Sequence, residues 1–236
     1  MIHGAVDFNR YLVSHLIAIQ CLTFRVCYSE KAYFFVMVKV FGIGLNKTGT
    51  TTLGKVFKDC LKTNHLGCSG GLLWQCRKGN FDPMIEAAKN NDTFEDFPWC
   101  FYYEMLDSIF PGSKFIMTRR KSSDVWLKSL MSHSLRTGKN HCRVHAYGLE
   151  YPHQNPGKMI EIYEAHNNAL REYFSGRPND FLEICWEEGD GIEKLFGFLN
   201  LPVPTDYALP HANKSKGVIK KYNLRRLSEL GISIKA

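Results

Sequence analysis

The sequence predicts an α/β fold: three layers, α/β/α, around a central parallel sheet. Three observations predict it. Apolar, β-branched runs alternate with amphipathic stretches of helical length, an order that needs crossover connections and hence parallel strands. The first run, 33–44 ("YFFVMVKVFGIG"), is apolar but for Lys39, as expected of a strand buried on both faces. A glycine- and threonine-rich loop, "GLNKTGTTTLGK" at 44–55, then leads into a helix, the order that a phosphate-binding loop requires.

Residues 1–36 read as an N-terminal extension and 37–236 as the folded domain. Within the extension, Tyr11 to Phe24 is an apolar run of about 14 residues flanked by Arg10 and Arg25. That is short of the roughly 20 residues a membrane span needs. Ser14, His15 and Gln20 interrupt it. The expectation is a cytoplasmic protein, with a membrane anchor through residues 11–24 as the alternative.

After the glycine loop, Leu53, Val56, Phe57 and Cys60 recur at helical spacing, which predicts a helix over 50–61. "FDPMIEAAKN" reads as a helix starting near Pro83, and "DTFED" as a short strand ending at Phe97-Pro98. The segment 99–110, "WCFYYEMLDSIF", is apolar all round and predicts a mostly buried helix closed by Pro111-Gly112. Its Trp99, Phe101, Tyr102 and Tyr103 are core candidates.

Residues 113–118 read as a strand and 122–135 as a helix, with Ser122 or Ser123 as its cap and Trp126 packing inward. The stretch 136–157, rich in His, Gly, Asn and Pro, reads as a long loop. A long helix follows over 156–176, with proline at its start and glycine at its end. "DFLEICW" is then a strand and "GIEKLFGFLN" a helix.

Hydrophobic content of 44% and charged content of 22% over 236 residues exclude disordered and fibrous classes. The net charge of +7 is compatible with an anionic ligand. Its basic residues are scattered and form no nucleic-acid motif, so no nucleic-acid partner is expected. The eight cysteines include no C-x-x-C pair and no zinc-finger spacing, which predicts reduced thiols and no metal. His133, His141, His145 and His153 share one segment without a metal-ligand spacing.

The loop carries the most specific signal. Gly44 to Gly49 has the glycine spacing of a nucleoside-triphosphate P-loop, but Thr50 stands where that loop has lysine. The cation, Lys47, comes two residues before Gly49. Backbone N–H groups from Lys47 to Thr51 and the hydroxyls of Thr48, Thr50 and Thr51 can still cradle an anionic phosphate. A lysine in this earlier position can reach a bridging or transferring oxygen.

These residues resemble a known family. "NKTGTTTL" is similar to the 5′-phosphosulfate loop of sulfotransferases, which use 3′-phosphoadenosine 5′-phosphosulfate (PAPS) as co-substrate. "FPGSKFIMTRRKSSDVWLKS" (110–129) is similar to the second signature of that family. "EEGDGIEKLFGFLNLPVP" and "PHANKSKG" resemble later segments of one branch. The resemblance runs over roughly 39–217. It implies a P-loop-like phosphosulfate-binding loop and a sulfotransferase domain with no metal.

Carried over, Lys47, Thr48, Gly49, Thr50 and Thr51 would hold the 5′-phosphosulfate, with Lys47 also catalytic. Arg120 and Ser129 would hold the 3′-phosphate, with Arg119 as the alternative to Arg120. Lys214, Ser215 and Lys216 lie where the family often closes a basic tail over the nucleotide. In the branch this chain resembles, an aspartate before x-Pro acts as base, which points to Asp96, with Glu95 as the alternative.

The implied activity is transfer of a sulfuryl group to a hydroxyl or amine of a small-molecule, glycan or protein acceptor. Segments 64–82, 95–104 and 133–156, the least family-like parts, are expected to form the acceptor pocket. The rivals are a P-loop nucleotide kinase, which would need lysine after Gly49, and an inactive nucleotide-binding protein.

Overall fold

A computed structural model describes residues 38–210 and 221–232 of the chain. Five strands build one sheet: β1 (Val40–Gly42), β2 (His65–Leu66), β3 (Thr93–Glu95), β4 (Lys114–Thr118) and β5 (Phe181–Ile184). Their order is β2-β3-β1-β4-β5 and every pair is parallel. The fold is α/β, an all-parallel sheet flanked by helices, as the alternation of runs predicts.

The helices in chain order are α1 (Thr50–Val56), which continues into a π turn at Phe57–Leu61, α2 (Gly70–Arg77), α3 (Asp82–Lys89) and α4 (Tyr103–Ile109). They are followed by α5 (Ser123–Thr137), α6 (His141–Tyr147), α7 (Pro156–Tyr173), α8 (Ile192–Phe198) and α9 (Lys221–Glu229). Among the described residues, no helix is long and apolar enough to cross a membrane.

Strand residues alternate between two apolar layers, because successive side chains leave a strand on opposite faces. On one face Val40, Ile116 and Ile184 pack with Leu53, Val56 and Phe57 of α1 and its π turn, and with Ile192, Leu195 and Phe196 of α8. On the other face Phe41 stacks between Phe94 at 4.6 Å and Phe115 at 5.4 Å. Phe174 bridges Phe115 and Phe181, at 4.9 Å from each. The parallel register sets this row, since Phe41 pairs with Phe94 and Phe115, and Phe115 with Phe181. Truncating a fully buried phenylalanine in such a row costs about 3–5 kcal/mol.

Several elements differ from the sequence expectation. Of the run 33–44, the strand occupies Val40–Gly42, and residues 33–37 lie outside the described residues. The expected helix over 99–110 divides into a 3-10 turn, Trp99–Phe101, and α4. The Trp99 ring is the reason: it wedges against Phe94 at 4.5 Å and donates its indole N–H to the Gly67 carbonyl at 3.2 Å. The expected loop over 136–157 contains α6, capped by the Asn140 side chain accepting from the Arg143 N–H, and a 3-10 turn at Pro152–Gln154. Strand β2 and helices α2 and α9 were not expected at all. The N-terminal extension, including the run 11–24, lies outside the described residues.

Candidate functional site

The chain moves from β1 outward to β3 and β2 on one side, and to β4 and β5 on the other. Such a reversal opens a crevice at the carboxyl ends of the central strands. The sequence-predicted site residues within the described part gather at the carboxyl ends of strands, Glu95 being the last residue of β3. The glycine loop leaves β1, Asp96 follows β3, and Arg119 and Arg120 follow β4, with Ser129 on α5 behind them.

The loop is held by its carbonyls. Ile43 accepts from His166 Nε2 at 2.8 Å, which fixes the proton of that ring on Nε2. Burial depresses His166 to about 4, so it stays neutral. Leu45 accepts from the Thr48 hydroxyl at 2.6 Å, Asn46 from the Trp126 indole at 2.8 Å, and Lys47 from Arg120 Nε at 2.6 Å. The Asn46 side chain is fixed by the Tyr147 hydroxyl at 2.6 Å. The Gly49 carbonyl accepts from the N–H groups of Thr52 and Leu53 at 2.9 and 3.1 Å. By contrast, the N–H groups from Lys47 to Thr51 meet no acceptor among the described residues. Carbonyls engaged behind and amides free in front are what an anion cradle needs.

Two loop positions take the left-handed conformation, Lys47 with φ 69° and Gly49 with φ 103°. Glycine is required at 49, where a Cβ would also lie 2.6 Å from the Trp186 Nε1. Thr48 corrects the expectation for its side chain: its buried hydroxyl bonds to Leu45 and to the Thr118 hydroxyl at 2.6 Å, and does not line the cleft. Thr50 and Thr51 do line it.

Arg120 and Ser129 come together, with Arg120 Nη2 3.2 Å from the Ser129 hydroxyl. Arg120 also pairs with Glu187, and its own N–H is held by the Tyr163 hydroxyl at 2.9 Å. Arg119 is engaged elsewhere. It pairs with Glu183 and grips Glu188 with two N–H groups at 2.6 and 3.1 Å, while Arg171 holds the same Glu183 at 2.8 Å. Of the two arginines, Arg120 contacts both Ser129 and the loop backbone, whereas Arg119 contacts Glu183, Glu188 and the Arg120 carbonyl.

The loop and the Asp96 carboxylate share a cleft of about 630 Å³, open mouth included, lined among others by Lys47, Thr50, Asp96, Phe97, His133 and Arg143. Its walls come from 68, 96–97, 133 and 140–143, within all three segments expected for the acceptor pocket. Asp96 has φ 70°, a conformation aspartate tolerates better than most residues, and its Oδ1 accepts from the Phe97 N–H at 2.9 Å. Its Oδ2 faces the Thr50 hydroxyl at 3.4 Å. Burial raises its pKa to about 6.

Glu95 lies behind, against Gly54 and Gly67, with Oε2 buried and unpartnered among the described residues. Burial, and then the Asp96 charge, raise it. Asp96 lines the cleft and Glu95 does not. Lys47 lies below the ordinary lysine value, through burial first and then the charges of Arg136 and Arg120.

Lys214, Ser215 and Lys216 lie outside the described residues. Among the described residues no group of three or more His, Cys, Asp or Glu could hold a metal ion. Sequence reasoning missed the residues that position the loop: His166, Tyr147, and the indole N–H of Trp126, which was expected only to pack. Nothing local marks them, since each reaches the loop from a remote helix.

A comparison with curated proteins returned no match. Comparison with protein families matched the sulfotransferase domain over residues 39–218. That span contains the lysine-bearing glycine loop, the strand-end aspartate and the arginine–serine pair described above, and it covers most of the chain; this protein belongs to the sulfotransferase domain family.

Proposed function

We propose that this enzyme transfers the sulfuryl group of PAPS to a hydroxyl or amine acceptor, without a metal. The observation that carries the reading is the loop itself. Its carbonyls are bonded from behind, its amides meet no acceptor among the described residues, and Lys47 lines the same cleft as Asp96.

The N–H groups of 47–51, without an acceptor among the described residues, and the Thr50 and Thr51 hydroxyls suit the 5′-phosphosulfate. Arg120 with Ser129 suits the 3′-phosphate, through charge-assisted bonds. Asp96, ionised above about pH 6, accepts the acceptor proton as the new S–O bond forms. The bond from sulfur to the bridging phosphate oxygen breaks, and its electron pair leaves on that oxygen. Lys47 neutralises the charge developing there. The products are the sulfated acceptor and 3′-phosphoadenosine 5′-phosphate (PAP).

Calorimetric titration of the full chain with PAP, AMP, and ATP with Mg²⁺ tests the donor. Tighter binding of PAP than of AMP, lost in Arg120→Ala, supports it. A preference for ATP, or no binding, rejects it.

A further inference from the structure

The cleft carries more positive charge than the donor needs. Arg143, on α6, is buried yet lines the cleft. Its Nε donates to the Glu150 carbonyl at 3.1 Å and its Nη2 to the Gly138 carbonyl, and its other donors have no hydrogen-bond acceptor among the described residues. Among the described residues it has no ion pair; Glu150 turns its carboxylate to Arg226 at 3.2 Å and Lys139 at 3.9 Å. The Tyr151 ring, 5.7 Å away, offsets the charge only in part.

Arg136, on α5, likewise has no ion pair among the described residues, and donates to the Ser132 hydroxyl at 2.6 Å. His133 lines the cleft and is held neutral by burial first, then by the charges of Lys47, Arg143 and Arg136, which lower it to about 4. Asp96 is the one carboxylate in the described lining, and it is committed as the base. A buried guanidinium without a carboxylate is costly unless an anionic ligand meets it. The loop, Arg120 and Ser129 suffice for the donor, while Arg143 shares the cleft with Phe97 and Cys68, in the segments expected to form the acceptor pocket.

We propose that the acceptor bears an oxyanion in addition to its reacting hydroxyl or amine, and that Arg143, reinforced by the charge of Arg136, receives it. This rests on the sulfotransferase reading above. Carboxylate and sulfonate share the required chemistry, and the experiment separates them.

The full chain, first saturated with PAP, is titrated calorimetrically with p-hydroxyphenylacetate, with its neutral amide p-hydroxyphenylacetamide, and with p-hydroxybenzenesulfonate. At low salt at least one acid is expected to bind about 10-fold or more tightly than the amide, the range of one charge-assisted contact. Which acid binds better identifies the oxyanion. Arg143→Gln is expected to erase the preference and Arg136→Gln to reduce it about threefold, as a more distant charge does. Because Arg143 also ties two carbonyls, PAP affinity is measured on each variant as a check of fold, and Arg136→Gln stands alone if Arg143→Gln does not fold.

Equal binding of acids and amide, no binding of any probe at millimolar concentration, or a preference that survives substitution overturns the inference. If PAP binds and the acids show no preference, only the acceptor inference falls. If PAP itself does not bind, the donor reading falls and takes this inference with it.

Discussion

Arg120 reaches the loop through the main chain of Lys47: its Nε donates to the Lys47 carbonyl at 2.6 Å, while its Nη2 lies 3.2 Å from Ser129. One guanidinium thus ties the loop backbone to the Ser129 side chain on α5. Arg119, one residue earlier, is bound among Glu183, Glu188 and, through Glu183, Arg171.

Substituting the two arginines is therefore expected to separate binding from stability. Arg120→Ala weakens PAP by about 10–100-fold and flattens its advantage over AMP, the scale of one or two charge-assisted bonds. Arg119→Ala lowers the thermal midpoint with PAP affinity near that of the parent. Calorimetry and thermal melts on both variants check this, and an Arg119→Ala protein that loses the 3′-phosphate preference would reverse the assignment.

Lys47→Met is expected to reduce turnover by about 100–1000-fold, the effect of removing one preorganised group from a developing oxyanion. PAP affinity should change much less, because the backbone amides and Arg120 remain. Single-turnover rates beside PAP titrations distinguish this from a general loss of binding.

The pH dependence follows from the two carboxyls. Asp96 is raised from 3.8 to about 6, so kcat/KM is expected to climb as pH rises through about 6. Asp96→Asn removes that limb while keeping the side-chain acceptor for the Phe97 N–H. Lys47, lowered from 10.5, places the alkaline fall below the value of a free lysine.

For stability the sign is opposite to that of a salt-bridged carboxylate. With both folded pKa values raised, the native state binds more protons than the unfolded chain. Their contribution is full below about pH 4 and is lost as pH rises through about 6 to 7. Asp96→Asn and Glu95→Gln should each raise the melting midpoint at pH 8 by a few degrees. Melts at pH 5 and 8 measure it, and a midpoint lowered at pH 8 would contradict the burial of these groups.

Gly49→Ala is expected to abolish nucleotide binding for two separable reasons: a positive φ of 103° and a Cβ placed 2.6 Å from the Trp186 Nε1. Adding Trp186→Leu relieves the collision and leaves the backbone cost of about 1–2 kcal/mol. The double variant should recover PAP binding in part; complete recovery would show that the backbone conformation costs nothing.

The strand–loop–helix order was legible in the sequence, because it is a local pattern followed by helical or strand periodicity, whereas Arg120 and Ser129 were named together only through the family resemblance. Strand β2 was not, since two residues carry no period. Helix α2 opens on Gly70-Gly71, a pair that reads as a turn, and α6 sits between Gly138 and Gly148 with one short apolar face. At the site, the loop residues could be named, but the direction of a side chain could not. Thr48 faces inward because Thr118 and the Leu45 carbonyl lie there, and no local pattern records that.

The pinning of the loop also bears on how the protein acquires its site. Asn46 depends on Trp126 and Tyr147, 80 and 101 positions away, and Ile43 on His166, 123 positions away. Contacts of such separation form late, after the long intervening chain has been closed. The loop is therefore expected to lack its competent shape in a partly folded chain. Capture of nucleotide during refolding should appear only with the final burial of the α5 and α7 helices, as one event with the appearance of native tryptophan fluorescence.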